Sequence, residues 1–331
     1  MASDSPVQLP CQILGYGTAL PQRIVASTEV DELCGLESGW IEQHTGVKFR
    51  HWATTEDAIS LGTLAAHQAL TKANMKPSDI DLIINASGTP HQAIPDGGPL
   101  FQRALGLGNS GILSFSVHAT CLSFLLGLET ASRWIATGGA RHVLIITSEI
   151  GSRGLNFTEP ESAGLIGDGA TALILGPATQ DRSSGIISSS WQTHGDTADL
   201  TEIRGCGTAS HPSSAHSQAV DHLFHMDGKP LLKFVLRKLP GFLSSLQLPV
   251  HEHDWLVPHQ ASKAGLALLS ALKWPANKTL HSLANFGNCI AASIPLTFMQ
   301  GLESGQIQHG QRILLAGTGA GISFGALSFL Y

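Results

Sequence analysis

Apolar runs of strand length alternate with helix-length segments along almost the whole of this 331-residue chain. Runs lie at 82–86, 111–117, 143–147 and 171–175, and again at 185–190, 255–257, 313–316 and 322–329. Helical patterns occupy 59–73, 122–137, 231–245, 264–272 and 291–304, the first opening after Asp57 or Ser60, either a suitable cap. Strands alternating with helices of this length predict an α/β architecture whose sheets are buried on both faces. The chain also echoes itself. GLIGDGATALILG at 164–176 and GTGAGISFGALSFL at 317–330 are both glycine-rich turns beside apolar strands. Two similar halves, 1–180 and 181–331, are expected. Between their cores, 194–227 is polar and rich in Ser, His, Gly and Thr, either a surface loop or a lid at a substrate entrance.

Composition removes several function classes. Apolar residues make up 43% and charged ones 13%, a balance incompatible with disorder. So few charges suggest a surface partly covered by a second subunit. A net charge of −6 without a basic run argues against nucleic acid as partner. The charge-free stretches 104–128 and 313–331 are interrupted by Gly, Ser, Asn or Thr, so no membrane insertion is expected. The first twenty residues lack a secretory pattern, and Cys11, Cys34, Cys121, Cys206 and Cys289 form no CxxC pair. The expectation is a cytoplasmic protein with reduced thiols.

Three residues carry chemistry. Cys121 follows the strand GILSFSV and opens the apolar helix LSFLLGLETASRWI. A helix N-terminus favours thiolate, so this position suits a nucleophile, although a small buried thiol would read the same way. His259, in DWLVPHQAS, stands where Pro258 ends a strand, on the sheet edge where α/β proteins bind ligands. His118 rivals it as a base by proximity to Cys121. Asn288, in LANFGNCIAASIP, is either a turn residue or an amide donor to an oxyanion. The closing GTGAGISFGA is either a hairpin or a source of backbone N–H groups for the same pocket.

Together these segments, with ILGYGTALPQRIV, GWIEQHTGVKFRH and IGDGATALIL, resemble the beta-ketoacyl-acyl-carrier-protein synthase III condensing enzymes of the thiolase superfamily along almost the whole chain. The resemblance implies a thiolase fold, five-layered α-β-α-β-α, dimeric through the first-half sheet, with no metal and no permanently bound cofactor. It implies that Cys121 is acylated by an acyl-coenzyme A or acyl-carrier-protein thioester. His259 and Asn288 then stabilise the enolate of a decarboxylating malonyl thioester for Claisen condensation. The oxyanion hole falls to the N–H groups of Cys121 and of Ala320, where the family has glycine.

In the thioester arm, Trp40 and Arg153 match the family. His44, Ser262, Ala264 and Lys229 replace an arginine, an asparagine, an arginine and an asparagine, with Lys263 beside the second and third. These changes argue against acetyl-coenzyme A as the preferred primer. Ile94 stands where an aromatic often closes the acyl pocket, leaving room for a medium or long chain. Asp96 is either a helix cap before 97–105 or an extra base across the interface. Lys229, Lys233 and Arg237 would align on one helix face after a cap at Asp227, either a solvated face or a dock for an acidic carrier protein. The leading reading is a decarboxylative condensing enzyme of fatty-acid or polyketide-like metabolism. The runner-up is an acyltransferase or a non-decarboxylative condenser joining two acyl chains. A non-catalytic partner subunit is the third.

Overall fold

The computed structural model describes residues 7–178, 184–271 and 274–331. The expected junction at 180/181 and the last residue of the helix expected over 264–272 lie outside the described residues. The apolar runs form the strands of two five-stranded sheets. The first contains β2 (Gln12–Ala19), β3 (Leu82–Asn85), β4 (Leu113–Ser116), β5 (Val143–Glu149) and β6 (Gly169–Gly176), in the order β2-β6-β5-β3-β4. The second contains β1 (Leu9–Pro10), β7 (Gly185–Thr193), β8 (Trp255–Pro258), β9 (Arg312–Gly319) and β10 (Ser323–Leu330), in the order β1-β7-β10-β9-β8. Both sheets are mixed. β3 runs parallel to β4 and β5, and β8 parallel to β9, while the remaining neighbours are antiparallel.

The helices are α1 (Ala58–Ala73), α2 (Gly97–Ala104), α3 (Ser123–Ala136), α4 (Gly228–Ser244), α5 (Lys263–Ala271) and α6 (Ser293–Glu303), besides shorter turns. Strand periodicity sorts side chains into layers. Leu82, Ile84, Val143 and Ile145 of the first sheet face inward with Val257, Ile313, Leu315 and Leu327 of the second, and between them lie Leu125 and Leu128 of α3 and Ile294 and Phe298 of α6. The alternate residues Ile83, Leu144, Ile146 and Ile174 face outward onto α1 and α2. On the far side Leu256, Leu314, Phe324 and Ala326 face α4 and α5. The layers therefore run helix, sheet, helix pair, sheet, helix, the five-layered arrangement expected.

Local signals resolve as follows. Asp57 and Ser60 both cap α1, in a reciprocal capping box. Asp96 caps α2, accepting from Gly98 N–H at 2.7 Å and from the Ser116 hydroxyl at 2.6 Å. Asp227 precedes α4 without any side-chain capping bond, contrary to expectation. The 194–227 segment is not a plain loop. It carries helical turns and a two-stranded ladder pairing Thr201–Glu202 with His225–Met226. Among the described residues no helix is long and apolar enough to cross a membrane.

Candidate active site

The nucleophile candidate sits between β4 and α3. Thr120 takes a left-handed φ of 50° and starts a helical turn, Thr120–Leu122, ahead of α3. The buried Ser123 hydroxyl stabilises this turn, accepting from Ala119 N–H at 2.9 Å and donating to the Thr120 carbonyl at 2.7 Å. Cys121 is half-buried, and its sulfur lines a cavity of about 1390 Å³. Backbone N–H groups of Ala320 and of Cys121 itself lie against that sulfur and pull its pKa down. Burial and the nearby Glu149 outweigh them, pushing the thiol up to about 12. A helix N-terminus was expected to favour thiolate; desolvation wins because the sulfur has lost most of its water.

His259 follows β8, and its backbone N–H donates to the Ala316 carbonyl at 2.8 Å. The side chain is 7% exposed, and burial lowers its pKa to about 4, so the imidazole is neutral at physiological pH. Nδ1 is buried with no hydrogen-bond partner. Gly317 makes this placement possible, since a Cβ there would lie 2.6 Å from the Cβ of His259.

Asn288 follows Gly287, whose φ of 68° and proximity to the Leu165 carbonyl leave no room for a side chain. The Asn288 Nδ2 donates to the Ala261 carbonyl at 3.3 Å, and Oδ1 accepts from Ile290 N–H at 2.9 Å. Gln260 ties this segment to His259. Its fully buried amide accepts from the N–H groups of Ser282 and Leu283 and donates to the Pro258 carbonyl at 2.8 Å.

Cys121, His259, Asn288 and Ala320 thus line one cavity, although they come from four segments. Residues 115–195 match the family described as 3-oxoacyl-[acyl-carrier-protein] synthase III, and 243–331 match its C-terminal region. The chain is 33% identical to the beta-ketoacyl-[acyl-carrier-protein] synthase III of Brucella suis over 326 residues, covering 95% of this chain and 97% of the relative. The chain belongs to the beta-ketoacyl-[acyl-carrier-protein] synthase III family. The same enzyme of Neisseria meningitidis is 33% identical over 97% of this chain and 99% of its own. The crystal structure of the synthase III from Aquifex aeolicus superposes with a TM-score of 0.85 at 28% identity, covering 97% of this chain and all of that one. The chain is accordingly a thiolase-fold condensing acyltransferase.

The positions expected to form a thioester arm fall into two groups. Arg153, Lys229, His44, Ser262 and Ala264 line the cavity. Arg153 donates to the Thr54 carbonyl at 3.2 Å. Trp40 and Lys263 are not among the lining residues. Trp40 stacks on His44 with ring centroids 3.9 Å apart, and the Lys263 ammonium donates to the Gln43 carbonyl at 3.0 Å. His118 lines the cavity but its Nε2 is held at 3.1 Å from the Gly88 carbonyl. The 194–227 segment forms one wall, through Ile203, Cys206, His222 and Phe224 among others. Ile94 is 86% exposed and lies outside the cavity of its own chain.

Two residues escaped the sequence reading. Glu149, at the end of β5, accepts from the N–H groups of Gly88 and Thr89 and from the Thr89 hydroxyl, and burial pushes it up to about 8. Its signal was a buried-strand sequence, VLIITSE, that ends on a carboxylate. Gln260 gave none beyond its neighbour His259.

Proposed function

We propose that Cys121 carries the acyl group of a medium- or long-chain thioester and that His259 and Asn288 stabilise the enolate of the second substrate. The convergence of two backbone N–H groups on the Cys121 sulfur, in a cavity shared with a neutral histidine and an asparagine amide, carries this reading. The sulfur attacks the thioester carbonyl, and the N–H groups of Cys121 and Ala320 hold the oxyanion. Coenzyme A or carrier-protein thiol leaves with the cysteine proton. A malonyl thioester then enters through the same mouth, and its carbonyl oxygen accepts from the His259 ring and the Asn288 amide. Loss of carbon dioxide leaves an enolate whose α-carbon attacks the acyl-cysteine. The Cys121 thiolate departs and takes a proton from solvent. A neutral imidazole suits this role, being a donor at ordinary pH.

Lys229, Lys233 and Arg237 are exposed on α4, with Lys229 at the cavity mouth, which supports docking of an acidic carrier protein there. The open edge of β4, beside exposed Ile94 and Leu113, supports a homodimer through the first sheet, with Ile94 reaching the partner's acyl pocket. Asp96 is engaged as a cap, so a role as an interface base is not carried forward. The test is product analysis with acyl-coenzyme A and malonyl thioester. A 3-oxoacyl product with equimolar carbon dioxide is expected, and His259→Ala should keep acyl loading but lose decarboxylation. The runner-up, joining two acyl chains, is favoured by the cavity's apolar extent. It would instead give product from acyl-coenzyme A alone.

A further inference from the structure

The cavity does not end at the reacting groups. Beyond His259 it continues beneath α4, between that helix and the outer face of the second sheet, where Val235, Leu239 and Leu243 face Leu256, Leu269 and Leu314. These same residues belong to the apolar cluster that should form the core of this layer. Protein interiors pack to crystal density, so a void of this kind within a core layer is unusual. Helix α4 shows the consequence. Of its seventeen residues only Phe242 is buried, although an apolar face points inward, and the helix lacks a side-chain N-cap and contains Pro240. Its other inward-facing apolar residues, Leu231, Phe234, Val235, Leu239 and Leu243, pack against that cluster but stay only partly buried.

The distribution of charge along the cavity specifies an occupant. Among the described residues, the lysines, arginines and acids that line it are Arg153, Glu161, Glu202 and Lys229. None comes from α4 beyond Lys229, from α5 or from the strands of the two five-stranded sheets. The cavity is therefore charged at its mouth and apolar in its arm, and at about 1390 Å³ it exceeds the roughly 300–1,000 Å³ of an ordinary small-molecule pocket. An apolar void stays dry and takes up apolar ligands.

We infer that the arm beneath α4 is a binding chamber for a long acyl chain, separate from the pocket that Ile94 would close. The inference rests on the reading of Cys121 as the acylated residue only for the source of the chain. The chain belongs either to the acyl group on Cys121 or to a thioester bound without reacting. Its entry gives α4 the buried surface that its own side chains leave unfilled.

Two measurements test this on the full chain. Cys121→Ala, which accepts no acyl group, is titrated with coenzyme A thioesters of about four to sixteen carbons. Binding should tighten three- to fourfold per methylene until the arm is full. Val235→Phe should bring that plateau to shorter chains. Affinity independent of chain length would overturn the chamber. Separately, a dodecanoyl-coenzyme A analogue carrying a terminal diazirine is photolysed on wild type and on Cys121→Ala. Label is expected within 231–246 or on the peptide holding Leu269. Label there in both proteins assigns the chain to a bound thioester, and label in wild type alone assigns it to the acyl-enzyme. Label confined to the Ile94 segment overturns the inference. Loading of wild type, read by intact mass in the same samples, separates the two claims. Loading without arm label sinks the chamber alone, and arm label without loading sinks the reading of Cys121 alone.

Discussion

At the scale of single residues, the site is governed by desolvation. Burial pushes the Cys121 thiol up to about 12 and the His259 imidazole down to about 4, each toward its neutral form. The free enzyme therefore holds both groups neutral within one cavity and not as an ion pair. Alkylation of Cys121 by iodoacetamide should rise about tenfold per pH unit from 7 to 10 without levelling. A plateau near pH 7, read from mass spectra of timed samples, would contradict this. The histidine also makes stability depend on pH. Its pKa is lower folded than unfolded, so its contribution is whole above about 6.5 and is lost as pH falls towards about 4. The loss is of order 3 kcal/mol. Urea midpoints of wild type should fall more steeply between pH 6.5 and 4.5 than those of His259→Gln; parallel curves would contradict the assignment.

At the scale of elements, the side chains proposed to react are placed by backbone contacts between segments distant in sequence. Gly317 on β9 leaves room for the His259 Cβ, and Gln260 fastens the turn after β8 to the start of the short helix Leu283–Phe286 before Asn288. Gly317→Ala should displace the histidine, costing about 1–3 kcal/mol of stability and at least tenfold in condensation rate. Gln260→Ala leaves two backbone donors without their acceptor, for a loss of about 2–4 kcal/mol by chemical denaturation. Much of the element pattern was legible. The eight central runs became β3 to β10 within a few residues, because a strand covered on both faces announces itself as a continuous apolar run. Asp227 misled because capping depends on where the side chain turns, and here it makes no bond to the helix it precedes.

At the scale of the whole molecule, the first sheet ends on the short edge strand β4, whose Leu113 is 48% exposed, and Ile94 is 86% exposed. Sedimentation equilibrium should give twice the chain mass of 34.8 kDa, and a monomer at micromolar concentration would contradict an interface there. The gathering of Cys121, His259 and Asn288 was legible from strand ends and from family motifs. Glu149 and the chamber beneath α4 were not. A carboxylate at a strand end shows nothing of the loop that will donate to it. A void is a property of three segments packed together, and each of them reads alone as an ordinary amphipathic or apolar stretch.

The central claim is that Cys121 is the acyl acceptor. Intact-protein mass spectrometry after incubation with acyl-coenzyme A thioesters of graded length tests it most directly, with Cys121→Ala in parallel. Wild type should gain one acyl mass, most readily from medium or long chains, and the variant none. Equal gain by both proteins, or no gain by wild type from either coenzyme A or carrier-protein thioesters, would contradict it.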